Sequence, residues 1–308
     1  MFREIFLYLS QKQNLKNYVE KFPPSKKLVE RFVAGETLSS AVKVIRNLNE
    51  LNMTCTVDKL GESLTDEDKI KGVVKDYKTI LKVIKDENLN STISLKLTHL
   101  GLMISDDLAY KSLSEILEYA KELNIRVCID MENSPFTQRT LDIYERAFNE
   151  FGNVGVAIQS YLKRTISDLE RLSLIGAEVR ICKGAYKEPK EIAYQRKKEV
   201  DENFKRALLI LFSNNSLNRG TYPCVATHDE KLINFTFELV KKNNILPDKF
   251  EFQMLYGIRR DLQEKIVKAG YRVRIYVPFG SEWYAYFMRR LGERPANLFF
   301  ILKNIFKP

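Results

Sequence analysis

The sequence is poor in the residues that build metal centres and disulfide frameworks. It contains two histidines, four cysteines and one tryptophan among 308 residues. Cys55, Cys128, Cys182 and Cys224 each lie in a short apolar run, and none forms a CxxC pair. We therefore expect buried, reduced cysteines rather than metal ligands or disulfides. Because the sequence has only two histidines, a histidine-rich metal centre is not expected, and no metal is predicted.

The sequence also has no long apolar run and no concentrated block of one charge. No segment approaches the roughly 20 apolar residues of a membrane-spanning helix. Charged residues interrupt the apolar N-terminal stretch, which is unlike a secretory signal, so the cytoplasm is the expected compartment. The net charge is +10, yet the lysines are mixed with Glu and Asp and no RNA-binding motif occurs. We therefore expect no nucleic-acid partner.

Motifs for nucleotide binding and for side-chain catalysis are missing too. No Gly-x-Gly-x-x-Gly turn follows the first predicted strand, which argues against a dinucleotide-binding Rossmann unit. There is no serine or cysteine nucleophile motif, no metal-spaced carboxylate cluster and no obvious acid–base dyad. If the protein is an enzyme, a cofactor should supply the reactive group.

What the sequence does have is a regular alternation of short apolar runs and helical patterns. The eight runs are MTCTVD, TISLKLT, IRVCIDM, VGVAIQSY, EVRICKGAY, PCVATH, FEFQML and VRIYVP. A helical pattern follows each, including Asp66–Asp86 and Glu188–Ser213. This count predicts an α/β fold, a (β/α)8 TIM-type barrel over residues 49–308, preceded by an N-terminal helical segment over residues 1–48. A doubly wound open sheet is the alternative, but it normally has fewer strands.

Polar side chains stand at the predicted strand ends, where such barrels place their active sites. A buried ammonium at Lys96 needs a partner, and Asp130 on the next strand is the natural one, although a purely structural ion pair is an alternative. Arg180 and Lys183, taken as unneutralised cations, imply an anionic ligand or a cofactor with an anionic reduced form. Gln159 can satisfy backbone groups or face a planar heterocycle.

The last strand–helix unit carries two adjacent arginines, Arg289 and Arg290. Guanidinium groups bind carboxylates or phosphates bidentately and stay charged. With Trp283 and Phe287 nearby in sequence, they predict a pocket for a small anion with an apolar body. The alternative is a solvated helix with two surface arginines.

Eight motifs in this order resemble the proline dehydrogenase family over about residues 50 to 297. They are ISLKLT, CIDMEN, AIQSYLKR, VRICKGAYKEP, ATHD, EFQMLYG, RIYVPFG and YFMRRLGERPAN. The form resembled is the short, monofunctional bacterial one. The resemblance implies noncovalent FAD, oxidation of L-proline to Δ1-pyrroline-5-carboxylate by hydride transfer to flavin N5, and a membrane quinone as electron acceptor.

The resemblance also implies a role for each matching residue. Catalytic residues would be Asp130 and Arg180. Substrate-binding residues would be Lys96, Tyr276, Arg289, Arg290, Leu255 and Tyr186. Cofactor-binding residues would be Met131, Gln159, Arg180, Lys183, Gly184, Ala185, Thr227 and His228. The apolar C-terminal segment NLFFILKNIFKP, with its lysines, is expected either to lie peripherally on an anionic membrane or to pack on the barrel. Two rivals stay open: a Schiff-base aldolase using Lys96 or Lys183 on a phosphorylated substrate, and a basic RNA- or membrane-binding barrel.

Overall fold

Eight parallel strands form a closed barrel in which each strand pairs with the next and β8 pairs with β1. The computed structural model describes residues 29–284 and 286–288. The strands are β1 Thr54–Lys59, β2 Ser91–Leu95, β3 Val127–Ile129, β4 Val154–Gln159, β5 Glu178–Cys182, β6 Tyr222–Ala226, β7 Glu251–Leu255 and β8 Val273–Phe279. The predicted (β/α)8 barrel is confirmed, and the open sheet is wrong.

Helices surround the barrel, one before the first strand and the others after the strands. They are α1 Leu38–Glu50, α2 Glu67–Asp86, α3 Asp106–Glu122, α4 Ser134–Phe151, α5 Thr165–Leu174, α6 Lys197–Leu211, α7 Asn214–Asn218, α8 Glu230–Lys242 and α9 Arg260–Lys268. Short 3-10 helices cover Leu97–Leu100 and Pro247–Lys249. Residues 283–284 and 286–288 are helical. The N-cap Asp66 shows why α2 begins where predicted, since its carboxylate accepts from the free backbone N–H groups of Asp68 and Lys69.

One predicted helix boundary is wrong. The pattern from Glu188 to Ser213 predicts one helix, but α6 begins at Lys197 and α7 is a separate short helix. The preceding segment contains Pro189 and is held as a loop, with Ala193 forming an isolated antiparallel bridge to Leu162. Tertiary pairing there overrides the local helical pattern.

The strands are apolar on the face that meets the helices, and on most strands the face that lines the barrel carries polar side chains. Alternate residues of β5 illustrate this, because Val179 and Ile181 join the main hydrophobic core while Arg180 reaches residues of β2, β3 and β7. TIM barrels usually fill this interior with layers of branched aliphatic side chains. Here hydrogen bonds and ion pairs take that place.

The N-terminal part of the described chain packs directly on the barrel. Helix α1 contacts β1 and β8, and its N-cap Thr37 accepts from the backbone N–H of Ser40. The division into residues 1–48 and 49–308 stays a prediction. Among the described helices, none is long and apolar enough to cross a bilayer. Three of the four free cysteines are buried as expected, and Cys182 is partly exposed.

Candidate active site

Lys96 lies between two carboxylates at the C-terminal ends of the first three strands. Its Nζ is 3.1 Å from Oδ2 of Asp58 and 3.3 Å from Oδ2 of Asp130, and all three side chains are largely buried. Burial alone would lower the pKa of Lys96, but the two carboxylates outweigh it and hold that pKa well above its ordinary value. Lys96 is therefore a permanent cation. The predicted Lys96–Asp130 pair is confirmed, with Asp58 as a second partner.

Asp130 accepts hydrogen bonds from three sides. Arg180 Nη1 donates to its Oδ1 at 2.6 Å, while the Tyr276 hydroxyl donates to its Oδ2 at 2.6 Å and Lys96 approaches the same oxygen. Burial and the Asp130 carboxylate hold the pKa of Tyr276 well above its ordinary value, so the phenol stays a donor. The ring of Tyr276 also lies 5.4 Å from the Arg180 guanidinium carbon. Asp130 thus has a fixed orientation.

Arg180 and Lys183 are not the unneutralised pair that their spacing predicted. Arg180 points into the barrel and is paired with Asp130, whereas Lys183 is paired with Asp201 at 2.6 Å and with Asp229 at 2.7 Å. Asp201 lies on α6, which follows the same strand as Lys183, and Asp229 lies in the loop after β6. The spacing of Arg180 and Lys183 alone does not reveal either contact. The argument for an anionic ligand from these two charges alone is therefore wrong.

Gln159 joins the loops that follow β3 and β5. It is buried, its Nε2 donates to the Glu132 carbonyl at 2.9 Å, and its Oε1 accepts from the Ala185 backbone N–H at 3.3 Å. The adjacent Gly184 has φ +110°, and a Cβ there would lie 2.3 Å from the Tyr161 ring. Only glycine fits this turn without displacing that ring. The flavin role of these residues stays a prediction.

The strand ends of β6 and β7 are held together by His228. Its Nε2 accepts from the Leu255 backbone N–H at 2.9 Å, which requires that nitrogen to be unprotonated. Thr227 is buried and its hydroxyl accepts from the Asp229 N–H. Of the other predicted residues, Met131 is buried, and Tyr186 is half-exposed in the loop after β5. Their ligand roles stay predictions.

An apolar cluster lies beside this mouth and is formed by the N-terminal segment and the last described helical residues. Its members are Val29, Phe32, Val33, Leu60, Ile258, Trp283, Tyr284, Tyr286, Phe287 and Met288, with Leu255 packed against it. The arginine pair predicted to bind the substrate, Arg289 and Arg290, lies outside the described residues, as does the C-terminal segment.

The predicted residues occupy two arcs of the barrel. The residues assigned to a cofactor lie on or just after four neighbouring strands, β3 to β6. They include Met131, Gln159, Arg180 and Thr227. Those assigned to a substrate come from β2, β7 and β8, with Tyr186 as the exception. Asp130 contacts both arcs, since it binds Arg180 on one side and Tyr276 and Lys96 on the other.

Comparison with known proteins identifies the family. The family model described as proline dehydrogenase matches residues 41–302. The chain belongs to the proline dehydrogenase family. It is 41% identical over 307 residues to proline dehydrogenase 1 of Bacillus subtilis (strain 168), covering all of both chains. It is 38% identical to the proline dehydrogenase of Deinococcus radiodurans, covering 91% of this chain and 90% of that one.

The fold agrees with a solved structure related to this family. The crystal structure of proline utilization A from Bdellovibrio bacteriovorus, inactivated by N-propargylglycine, superposes with a TM-score of 0.83 at 26% identity. The match covers 94% of this chain and 36% of that longer protein. The resemblance drawn from the eight motifs is confirmed, and the chain is an enzyme of the proline dehydrogenase family.

The geometry disfavours the aldolase alternative for this proline dehydrogenase family member. A Schiff-base lysine needs a neutral amine, which usually requires a desolvated lysine without carboxylate partners. Lys96 is instead held as a cation by two carboxylates, and Lys183 is paired with two others. Neither is a ready nucleophile.

Sequence reasoning missed Asp58. It lies at the end of the first apolar run, is 1% exposed and is the nearer partner of Lys96. The signal was available, because the run TCTVDK alternates Thr, Thr and Asp with apolar residues, as a strand lining a polar barrel should. The same alternation marks Ser94, Glu251 and Arg274 as inward-facing.

Proposed function

We propose that the protein catalyses the FAD-dependent oxidation of L-proline to Δ1-pyrroline-5-carboxylate and passes the electrons to a membrane quinone. The observation that carries this proposal is the position of Asp130 between the two arcs. Its carboxylate binds Arg180 on the side assigned to the cofactor, and Tyr276 and Lys96 on the side assigned to the substrate. A group that touches both arcs suits a reaction between two bound molecules.

The donor set along β3 to β6 is compatible with a flavin. The Arg180 guanidinium is a cation paired with Asp130, and Gln159 has both a donor and an acceptor group. These groups match the mixed donors and acceptors of an isoalloxazine ring. Bound FAD would supply the hydride acceptor for the carbon next to the proline nitrogen. The residues of this chain would bind and orient the substrate.

The amine of proline must be neutral for that carbon to lose hydride. Lys96 remains charged between its two carboxylates, and a cation beside an amine disfavours the ammonium form. We therefore expect the Lys96–Asp130 pair to orient proline and to promote loss of the amine proton without a dedicated base. The carboxylate of proline would be bound by Lys96 together with Arg289 and Arg290.

Replacing Asp130 by Ala tests this role. Tyr276, Arg180 and Lys96 would lose a shared acceptor, and misplaced catalytic groups commonly cost on the order of 100-fold in rate. The D130A variant should therefore show a large fall in turnover in a steady-state assay. Asp86→Ala removes an exposed carboxylate paired with Lys82 and is the matched control. Unchanged kinetics in D130A would contradict the assigned role.

The function itself is tested by an anaerobic visible spectrum before and after addition of L-proline. A flavin spectrum that bleaches with L-proline, but not with L-alanine, is the expected result. Subsequent addition of a soluble quinone should restore the yellow colour. A yellow protein that proline does not bleach would refute the substrate. A colourless protein that takes up no added FAD would refute the cofactor.

Peripheral membrane contact is the remaining part of the proposal. The segment NLFFILKNIFKP combines apolar residues with lysines, which suits the surface of an anionic bilayer. The full chain should then sediment with anionic liposomes, and a chain ending at Asn297 should not. Equal sedimentation of both would remove the membrane role from this segment.

A further inference from the structure

A column of polar contacts runs through the barrel beneath Arg180. The guanidinium donates from all three nitrogens, and each donation goes to a different strand. Nη1 binds Asp130 on the β3 side at 2.6 Å, Nη2 binds Ser94 on β2 at 2.9 Å, and Nε binds the side-chain oxygen of Gln253 on β7. Arg180 is 6% exposed, so these three acceptors and the Tyr276 ring, rather than solvent, surround its charge.

Gln253 suits this place because it needs to accept at one end and donate at the other. A guanidinium can only donate, so the amide oxygen of Gln253 must face Arg180. Its Nε2 donates to Oε1 of Glu251 at 2.6 Å, and an ionised carboxylate can only accept. Gln253 is 5% exposed and links the Arg180 guanidinium to the Glu251 carboxylate.

Glu251 is itself held by Arg274. Arg274 Nε donates to Oε1 of Glu251 at 2.6 Å and Nη2 donates to Oε2 at 3.0 Å, which is a bidentate pair. Arg274 Nη1 also donates to the Cys55 carbonyl at 2.8 Å. The Glu251–Arg274 pair lines a depression of ≈ 620 Å³ at the N-terminal end of the barrel. The column therefore begins at the foot of the barrel and ends at Asp130.

We infer that Gln253 is a positioning residue for Arg180, with the Glu251–Arg274 pair as its anchor. The Gln253 oxygen fixes Nε of Arg180, so the Nη edge of the guanidinium faces Asp130 and Ser94. Without that oxygen, the guanidinium would keep two acceptors at one edge and could tilt about them. A tilt would move the positive charge relative to both Asp130 and the arc assigned to the cofactor. Gln253 itself would touch neither substrate nor cofactor.

The expected changes in kcat and in flavin potential rest on the proposed flavin-dependent function, whereas the hydrogen bonds of Arg180 do not. A merely structural Gln253 would satisfy buried polar groups and affect stability alone. Two substitutions separate these roles. Gln253→Met has a similar shape and removes both hydrogen bonds, whereas Gln253→Glu retains an oxygen for Arg180 and places a carboxylate against Glu251.

The experiment compares Q253M, Q253E and a control with the parent chain loaded with FAD. Asn153→Leu is the control, because Asn153 donates to the carbonyls of Leu117 and Ile125 and makes no contact with the column. Three quantities are measured: the thermal midpoint, the midpoint potential of the bound flavin without proline, and kcat with KM for proline.

For Q253M we expect kcat to fall roughly 10- to 100-fold with little change in KM, as for a displaced transition-state contact. The flavin potential should become more negative, because a reduced anionic flavin loses a well-placed cation. Q253E should recover much of kcat although it is less stable, since like charges lie side by side. N153L should lower stability only.

The outcomes distinguish the two hypotheses. If Q253M matches N153L in potential and kcat, or if Q253E is no more active than Q253M, the positioning role is overturned. If the parent chain binds FAD but proline does not bleach it, the proposed substrate fails, while the potential of Q253M still tests the positioning of Arg180.

Discussion

Replacing Lys96 by Met should make the stability of the barrel strongly dependent on pH. Among the described residues, Asp58 forms an ion pair with one cation, Lys96, whereas Asp130 forms ion pairs with both Lys96 and Arg180. The K96M variant would therefore leave Asp58, which is 1% exposed, as an uncompensated buried carboxylate. Breaking a buried pair in this way typically costs about 3–5 kcal/mol.

The carboxylate can escape that cost by taking a proton, which limits the penalty. Protonating a group of ordinary pKa about 3.9 costs about 1.4 kcal/mol per pH unit above that value, or about 4 kcal/mol at pH 7 and about 1.5 kcal/mol at pH 5. In K96M the folded-state pKa of Asp58 lies above its unfolded value, so stability is lost as pH rises. The penalty should shrink by roughly 2.5 kcal/mol between pH 7 and pH 5.

Urea unfolding followed by circular dichroism at pH 5, 6 and 7 measures this change. Adding Asp58→Asn to K96M removes the stranded charge and should recover most of the loss at pH 7. Lys82→Met breaks the exposed pair with Asp86 and is the control, expected to cost less than about 1 kcal/mol at every pH. A K96M penalty that does not vary with pH, or that Asp58→Asn fails to relieve, would refute the reasoning.

Two further predictions concern a glycine and two buried titratable groups. Gly184→Ala should lower the thermal midpoint much more than Gly220→Ala. Both residues have positive φ, but only a Cβ at Gly184 would meet a ring, that of Tyr161 at 2.3 Å. Equal losses of thermal midpoint would argue against the clash. Burial raises the pKa of Glu132 from 4.5 to about 6, so this residue costs stability, about 2 kcal/mol, as pH rises through that window. Burial and Lys96 lower the pKa of His99 from 6.5 to about 4, so His99 costs about 3 kcal/mol as pH falls through that window. The free energy of unfolding should be measured from pH 4 to 7. Relative to the parent, Glu132→Gln should gain stability at neutral pH compared with pH 4, and His99→Asn should lack the parent's loss of stability at acid pH. Profiles parallel to the parent would contradict both predictions.

The sequence by itself determined the architecture and the family of this protein. Eight apolar runs of strand length, each followed by a helical pattern, predict a (β/α)8 barrel because strand and helix periodicities are local properties of the chain. The order of motifs from ISLKLT to RIYVPFG indicates the family for a similar reason, since each motif is a short contiguous stretch. The pairing of Lys96 with Asp130 was also within reach, because parallel neighbouring strands align their ends.

Only the tertiary structure decided which charges meet across the barrel. Lys183 is neutralised by Asp201 and Asp229, and Arg180 binds Gln253, which is 73 positions away in sequence. Closure of the barrel brings Arg180 and Gln253 together, and sequence spacing carries no record of contacts between strands that are not neighbours. The contacts of Lys183 join the end of β5 to α6 and to the loop after β6, which local periodicity does not reveal either. The same closure turns alternate polar residues of β5, β7 and β8 inward. A polar column therefore occupies the interior of the barrel.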